Sequence, residues 1–302
     1  MERIIRWLCV LGLVLCGALP TQARTKLVKA RVSGFAHVNG ISLFYQIYGK
    51  GPPILLIPGG LADADVWHRQ IATLSAHHRL IVADSRGQGR STRDRTPITY
   101  DLMARDYLAL LDELKLEQVA LVGWSDGGII GLDIAMHHPE RLSRMFIQAA
   151  NATPDGAFAN VKARAEGAAI PPVGHYDKIS DEIEALWANE PNFTPAQLAT
   201  ITVPTVIVIG DHDEAISREH TEMLANAIPG AEFLLLPHVG HSAPLEDPVG
   251  YARAVLDFVD ASASKGDAAL QQRADQAGKV LEKSRQRRAT APLVEGQRAA
   301  GG

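Results

Sequence analysis

Short runs made almost wholly of apolar residues, rich in Val, Ile and Leu, recur along most of the chain. Runs of this length without polar alternation are typical of strands that are buried on both faces of a parallel sheet. Six such runs are Pro53 to Ile57, Arg79 to Ala83, Val119 to Val122, Met145 to Ala149, Thr205 to Ile209 and Glu232 to Leu236. Two earlier stretches, Gly34 to Val38 and Ser42 to Tyr48, flank Asn39-Gly40. Both of these residues tolerate positive φ, so the pattern predicts a β-hairpin there.

Apolar residues at helical spacing lie between several of these runs. They occur from Leu102 to Leu114, from Ile130 to Ala135 ahead of Pro139, and from Val249 to Val259. Strands that alternate with helices indicate β-α-β units and a sheet covered on both faces. The predicted fold is therefore α/β, with a mostly parallel eight-stranded sheet and helices on both of its faces.

The alternation stops over residues 151–200, where about 50 residues separate two predicted core strands. An unstructured loop of that length would be unusual in a compact domain. We therefore expect a small helical lid insert over 151–200. The core is then divided into a first part, 24–150, and a second part, 201–261.

The two ends of the chain differ from the core in composition. Leu8 to Leu19 is an apolar run preceded by Arg3 and Arg6, and it is shorter than the roughly 20 residues that a membrane span needs. This pattern predicts a signal peptide over 1–23, export to the periplasm or medium, and no stable membrane span after cleavage. An uncleaved signal anchor is the alternative. The stretch 262–302 lacks aromatic residues and is predicted to be a disordered tail.

Composition narrows the possible chemistry. The chain has 302 residues and a net charge of -4, which does not suggest a nucleic-acid partner. Both cysteines, Cys9 and Cys16, fall in the predicted signal peptide, so the mature chain would have no thiol nucleophile. No metal-ligand spacing, phosphate loop or dinucleotide fingerprint occurs, and we expect no cofactor and no metal. Oligomeric state is not indicated.

The predicted strand Val119 to Val122 runs directly into Gly123-Trp124-Ser125-Asp126-Gly127, and a helical pattern follows. A nucleophilic serine needs a sharp strand-to-helix turn that exposes its hydroxyl, and the glycines remove side chains that would collide there. Ser125 is thus the predicted nucleophile.

A serine hydroxyl needs a base, usually a histidine that is oriented by a carboxylate. Two later strands end in suitable loops, one with Asp211 and Asp213 and the other with His238 and His241. Carboxyl ends of parallel strands meet at one edge of the sheet, so either pair would lie near Ser125.

With these motifs the chain resembles the lipase/esterase-like branch of the α/β-hydrolase superfamily from about residue 34 to residue 260. The resemblance implies the α/β-hydrolase fold. In that family the acid stands three residues after the glycine that ends its strand, and the base follows a glycine. On this match Asp213 and His241 complete the triad with Ser125, and Asp211 and His238 remain as alternates.

The resemblance also implies an oxyanion hole of two backbone N–H groups. One belongs to Asp126, and the other lies in Pro58-Gly59-Gly60-Leu61, with Gly60 expected and Leu61 as the runner-up. The motif from Asp84 to Ser91 matches a family loop, to which we assign a structural role.

Substrate recognition is less clearly marked. Four aromatic residues, Trp67, Trp124, Phe158 and Trp187, are candidates for the pocket, although core packing explains aromatics equally well. The Gly-Trp-Ser-Asp-Gly-Gly elbow is similar to that of the biphenyl-hydrolase-like, valacyclovir-hydrolase group. That similarity implies that Asp126 binds a substrate amino group; the alternative is an interaction with the helix dipole.

The expected function is that of a serine hydrolase that cleaves a small carboxylic ester or related acyl substrate. The same triad would also serve a cofactor-free haloperoxidase or perhydrolase, a lactonase or a C–C hydrolase. A non-catalytic ligand-binding protein of this fold is the alternative from another class. A serine at the elbow excludes enzymes with an aspartate nucleophile, such as epoxide hydrolases.

Overall fold

The computed structural model describes residues 28–158 and 178–261, and within them eight strands form one sheet. The spatial order is β1-β2-β4-β3-β5-β6-β7-β8. β1 and β2 pair antiparallel, as do β2 and β4, and the other neighbours are parallel. The predicted mostly parallel sheet is confirmed. The strands are β1 Val32–Val38, β2 Ile41–Gly49, β3 Pro53–Ile57, β4 Arg79–Ala83, β5 Val119–Trp124, β6 Leu142–Gln148, β7 Thr205–Gly210 and β8 Glu232–Leu236.

Helices follow most of the parallel strands. All three periodic segments identified in the sequence are helical, in α2, α3 and α8 below. In the described residues, the α-helices are α1 His68–Leu74, α2 Tyr100–Glu113, α3 Asp126–His137, α4 Ile179–Asn189, α5 Pro195–Leu198, α6 Arg218–Ala227, α7 Ala243–Glu246 and α8 Pro248–Val259.

Apolar residues fill the space on both sides of the sheet. On one side, alternate residues of β3, β5 and β6 pack against α2 and α3, around Tyr107 and Ile130. On the other side, the intervening residues pack against α1 and α8, around Trp67 and Tyr251. Because side chains alternate between the two faces of a strand, runs apolar at every position are what a doubly covered sheet requires.

The β1–β2 hairpin confirms its local signal. Asn39 and Gly40 adopt φ of 43° and 79°, both in the left-handed region that a tight two-residue hairpin needs. β1 of this hairpin is an edge strand of the sheet, whereas β5 lies in its interior.

Strands β5 to β8 run parallel to one another. The loops that follow β5, β7 and β8 therefore all lie at the carboxyl ends of the strands.

The motif between Asp84 and Ser91 is held by buried charge. Asp84 is fully buried, and its carboxylate accepts hydrogen bonds from the N–H of Ala64 at 2.7 Å and from Nε of Arg90 at 2.8 Å. The Ser91 hydroxyl donates to the Asp84 carbonyl at 2.7 Å. These contacts fix the loop beside the site, in line with the structural role assigned to it.

Three predicted segments lie wholly or partly outside the described residues. The predicted signal peptide, 1–23, and the predicted tail, 262–302, are both outside them. Residues 159–177 of the predicted insert are outside as well, and its described remainder contains α4 and α5. Among the helices of the described ranges, none combines the length and the apolar character that crossing a membrane requires.

Candidate active site

Ser125 sits at a sharp turn between β5 and α3. Its backbone adopts φ 53° and ψ -119°, and its N–H donates to the Gln148 carbonyl at 2.8 Å. Positive φ is strained for a residue with a side chain, and such strain tends to occur where function requires it. The turn leaves Ser125 partly exposed at the end of a strand that is otherwise buried.

The two glycines of the elbow allow close backbone contacts. A Cβ on Gly123 would lie 2.3 Å from the carbonyl oxygen of Gly127, which is the collision across the turn that the sequence predicted. A Cβ on Gly127 would instead lie 2.2 Å from the carbonyl oxygen of Ile57. The second glycine therefore lets α3 begin directly against the end of β3, a contact between elements that the motif alone did not indicate.

Three side chains from separate loops meet at this edge of the sheet. Nε2 of His241 lies 3.1 Å from Oγ of Ser125, and Nδ1 of His241 lies 3.2 Å from each carboxylate oxygen of Asp213. These are hydrogen-bond distances, although slightly long. The geometry is that of a nucleophile, a base and an orienting acid.

Backbone N–H groups hold the Asp213 carboxylate in place. Oδ1 accepts from Ala215 at 2.9 Å and from Ile216 at 2.8 Å, and the side chain is 1% exposed. Water is thus largely excluded from the carboxylate and does not readily replace the imidazole of His241 as its partner. A carboxylate fixed in this way stabilises one tautomer of His241.

The backbone of His241 is held as firmly as its ring. Its carbonyl accepts from Nε1 of Trp124 at 2.8 Å and from Nε2 of Gln148 at 3.2 Å. Its N–H donates to a carboxylate oxygen of Glu214 at 3.1 Å. The sequence did not indicate Gln148 or Glu214, because these contacts join residues that no local motif links.

The alternate residues lie apart from this arrangement. Asp211 accepts hydrogen bonds from its neighbour His212 and from the backbone of His238. His238 is exposed and adopts φ of 61°. In the ranges that the structure describes, neither side chain bonds to Ser125 or His241.

The residues that carry the two proposed oxyanion donors, Gly60 and Asp126, both line a cavity beside Ser125. Asp126 is the first residue of α3, so its N–H has no partner within that helix. The runner-up, Leu61, uses its N–H in a hydrogen bond to the side chain of Gln88. Gly60, the expected donor, lines the cavity.

The space at Gly60 is too small for a side chain. A Cβ there would lie 2.3 Å from Oδ2 of Asp126 and 2.7 Å from Cζ2 of Trp187. We expect Gly60→Ala to displace the loop and to lower the kcat of a hydrolytic reaction at Ser125 by about 100-fold, the loss typical of one oxyanion donor. Steady-state kinetics would measure this loss. Gly34→Ala is the control, because a Cβ on Gly34 meets nothing within 4 Å; equal activity of both variants would contradict the prediction.

A cavity of about 210 Å³ opens next to Ser125. Two of the four predicted aromatic residues, Trp124 and Trp187, line it. Its described lining consists of Gly59, Gly60, Trp124, Ser125, Asp126, Asn151, Ala157, Trp187, Glu190, Ala215, Ile216 and His241.

Trp67 and Phe158 do not line this cavity, so the prediction is wrong for both. Trp67 is fully buried on the α1 and α8 side of the sheet, where its ring lies 6.1 Å from that of Tyr251. Phe158 is 41% exposed. Ala157 forms a β-bridge with Ile216, and side chains alternate in extended backbone, so Ala157 faces the cavity and Phe158 points away.

The Asp126 carboxyl group is buried against the cavity. It accepts hydrogen bonds from Nε1 of Trp187 at 2.9 Å and from the hydroxyl of Tyr100 at 3.1 Å. Burial raises the pKa of Asp126 to about 6, although both hydrogen bonds and the nearby His241 lower it. Tyr100 was not identified from sequence, since it begins a helix distant in the chain.

The raised pKa of Asp126 makes stability depend on pH. Its pKa is 3.8 in a model peptide, so the folded protein binds the proton more tightly, and that stabilisation is lost as pH rises through about 6. We expect Asp126→Asn to raise the free energy of unfolding at pH 8 by about 1–3 kcal/mol, and to raise it little at pH 4. Urea denaturation at both pH values would measure this. Asp257→Asn, at an exposed carboxylate, is the control, and a gain independent of pH would contradict the explanation.

In the described ranges, no group of three or more His, Cys, Asp or Glu residues is placed to hold a metal ion.

Two further polar residues, Asn151 and Glu190, line the cavity and were missed by sequence reasoning. Glu190 precedes Pro191 after α4, and nothing in the local pattern marks it as a residue of the cavity.

Comparisons with known proteins give a consistent result. A family model described as alpha/beta hydrolase fold matches residues 52–171. The chain is 31% identical over 259 residues to the serine hydrolase BPHL of Mus musculus, an alignment that covers 78% of this chain and 87% of that protein. It is 26% identical over 273 residues to a 2-hydroxy-6-oxo-6-(2'-aminophenyl)hexa-2,4-dienoic acid hydrolase of Metapseudomonas resinovorans, covering 79% of this chain and 94% of that one.

Solved structures agree with these relatives. The enol-lactonase of Burkholderia xenovorans LB400 superposes with a TM-score of 0.65 at 26% identity. The match covers 75% of this chain and 100% of that one. The similarity thus extends over nearly the full length of each of these proteins.

Proposed function

The chain belongs to the α/β-hydrolase family and is a hydrolase of that fold, and from this premise we propose that it is a serine hydrolase of small carboxylic esters. One observation carries the proposal: Oγ of Ser125, the imidazole of His241 and the carboxylate of Asp213 lie in one hydrogen-bonded line. Three separate loops hold these groups within hydrogen-bond distance of one another, and this arrangement favours an enzyme over a non-catalytic binding protein.

In the proposed first step, Oγ of Ser125 bonds to the ester carbonyl carbon, and its proton passes to Nε2 of His241. The carbonyl oxygen becomes an oxyanion, which accepts hydrogen bonds from the N–H groups of Gly60 and Asp126. The bond to the leaving alcohol then breaks, and the alcohol takes the proton from His241. An acyl-enzyme on Ser125 remains.

In the second step, water attacks the acyl carbon and gives a proton to His241. The bond to Oγ of Ser125 breaks, the proton returns to the serine, and a carboxylic acid leaves. Asp213 stabilises the imidazolium that forms in each step but does not itself take the proton. Its two backbone hydrogen bonds, from Ala215 and Ile216, support this role because they hold the carboxylate against Nδ1 of His241.

A phosphonylation experiment tests the nucleophile. A fluorophosphonate probe should label the wild-type protein stoichiometrically and leave Ser125→Ala unlabelled. Ser33→Ala, which removes an exposed hydroxyl on β1, is the control and should be labelled as wild type is. Labelling of Ser125→Ala, or no labelling of a folded wild type, would contradict the proposal.

A panel of substrates would identify the preferred acyl group and the type of bond that is cleaved. Esters of p-nitrophenol with graded acyl length, tested with lactones and a C–C substrate, separate the ester reading from its alternatives. The relatives named above include an enol-lactonase and a dienoic acid hydrolase, and both of those reactions remain alternatives for this site, as does the haloperoxidase or perhydrolase reaction.

A second candidate is hydrolysis of amino-acid esters. It is favoured by one observation: the Asp126 carboxyl lines the cavity and is bonded by the neutral donors Trp187 and Tyr100. An amino-acid ester and its N-acetyl form differ in the cation that such a carboxylate would bind. A clear preference for the free amine would support this candidate, and equal rates would eliminate it.

We also infer export, from the basic and apolar pattern of residues 1–23. Expression of the full chain in a Gram-negative host, followed by fractionation and N-terminal sequencing, tests this inference. A periplasmic protein that begins at Arg24 would support it. Cytosolic protein that retains Met1 would contradict it.

A further inference from the structure

The cavity beside Ser125 carries acidic side chains from two different elements. Asp126 begins α3, and Glu190 directly follows α4. Both line the cavity, and among the lining residues of the described ranges there is no lysine or arginine. Nothing in the elbow motif or in the triad requires Glu190.

Tyr100 fixes the two carboxyl groups relative to each other. Its hydroxyl donates to Oδ1 of Asp126 at 3.1 Å, and its backbone N–H donates to Oε2 of Glu190 at 3.1 Å. Thr99 caps the helix that Tyr100 begins, because its side chain accepts from the N–H of Leu102. Both carboxyl groups are therefore held by one rigid helix start, rather than being free to turn away from the cavity.

Their negative charge is not neutralised by a cationic side chain. Within the described parts of the chain, no ion pair forms at either Asp126 or Glu190; the donors to Asp126 are the neutral groups of Trp187 and Tyr100. Burial raises the pKa of Glu190, and the charges of Asp133 and Asp101 raise it further, although its backbone hydrogen bond lowers it. A narrow cleft lined by one sign of charge focuses its field on whatever occupies it.

We propose that Glu190 is a specificity-determining residue which, together with Asp126, makes the cavity beside Ser125 reject acyl groups that end in a carboxylate. The inference rests on the proposed ester hydrolysis at Ser125. The small cavity, of about 210 Å³, brings the far end of a short acyl chain close to the two carboxyl groups. A like charge within about 8 Å, at an effective dielectric constant of about 20, disfavours binding by about tenfold or more for each carboxylate.

Two substrates of nearly the same shape test this directly. Dimethyl glutarate is uncharged, whereas monomethyl glutarate ends in a carboxylate. We expect the wild-type kcat/KM, measured by methanol release and halved for the two ester groups of the diester, to be at least about 50-fold higher for dimethyl glutarate. A wild-type ratio within threefold of one would overturn the proposal.

Charge removal identifies the residue responsible. Glu190→Gln should reduce the ratio of the two kcat/KM values by about tenfold, and Asp126→Asn should reduce it in the same direction. Glu113→Gln, which removes an exposed carboxylate at the far end of α2, should leave the ratio unchanged. If Glu190→Gln does not fold, Asp126→Asn decides the question; an unchanged ratio in a folded variant of either kind would overturn the proposal.

A binding measurement separates this proposal from the proposed chemistry. In Ser125→Ala, the fluorescence of Trp124 and Trp187 reports on occupancy of the cavity that both line. The diester should bind at least about tenfold more tightly than the monoester. Absence of ester hydrolysis by the wild type would refute the ester reaction alone. Equal affinities, or no binding of either compound, would overturn the charge-based rejection.

Discussion

Replacing His241 with glutamine is expected to lower kcat for a p-nitrophenyl ester by about 10⁴- to 10⁶-fold. Nε2 of His241 is the group within 3.1 Å of Oγ of Ser125 that can take its proton, and a glutamine amide cannot do so. Without a base, the serine hydroxyl stays protonated and reacts slowly. Residual activity would come from the oxyanion hole and substrate binding alone.

The control for this variant is His238→Gln. His238 is an exposed histidine three residues before His241 in the same loop, so this variant makes the same substitution at an imidazole that has no hydrogen bond to Ser125. We expect kcat to stay within about twofold of wild type, since surface substitutions away from the site have small effects. Comparable losses in the two variants would show that the loop, rather than the base, is being disturbed.

Replacing Asp213 with asparagine is expected to lower kcat by about 10⁴-fold. Oδ1 of the asparagine can still accept from the N–H groups of Ala215 and Ile216, so the loop should keep its shape. The amide NH₂ would then face Nδ1 of His241. It would favour the tautomer that places the proton on Nε2, where it blocks acceptance from Ser125.

Asp211→Asn is the matched control, because Asp211 is the alternate acid that the sequence offered in this loop and it contacts the exposed His212. We expect kcat within about twofold of wild type and an unchanged circular dichroism spectrum for both variants. Stopped-flow or steady-state assays with an activated ester would measure the difference. A larger loss in Asp211→Asn than in Asp213→Asn would reverse the assignment of the acid.

Much of the fold is predictable because its signals are local. Runs such as Val206 to Ile209 are apolar at every position, and this pattern favours a strand that is buried on both faces of a sheet. The Asn39-Gly40 turn is equally local, because it depends on the φ preference of two residues. Shorter or more polar elements, such as α1 and α6, were missed, since their apolar stripes are narrow and are completed only by the elements they cover.

The aromatic residues illustrate the limit of such reasoning. Trp67 and Trp187 carry the same side chain, yet Trp67 fills the core against Tyr251 and Trp187 reaches Asp126 at the cavity. Sequence spacing does not distinguish them, because the face on which each residue lies depends on how its element packs. The same holds for Glu190, whose position at the cavity follows from the path of the chain after α4.

The sequence by itself determined the class of fold and the position of the sharp turn at Ser125, because the continuous apolar runs and the glycines around Ser125 act within a few neighbouring residues. Tertiary structure decided which carboxylate and which imidazole lie beside that serine, and which side chains line its cavity. The physical reason is that each of these contacts joins residues from loops far apart in the chain. The distance between those loops is set by the order in which β5, β7 and β8 lie in the sheet.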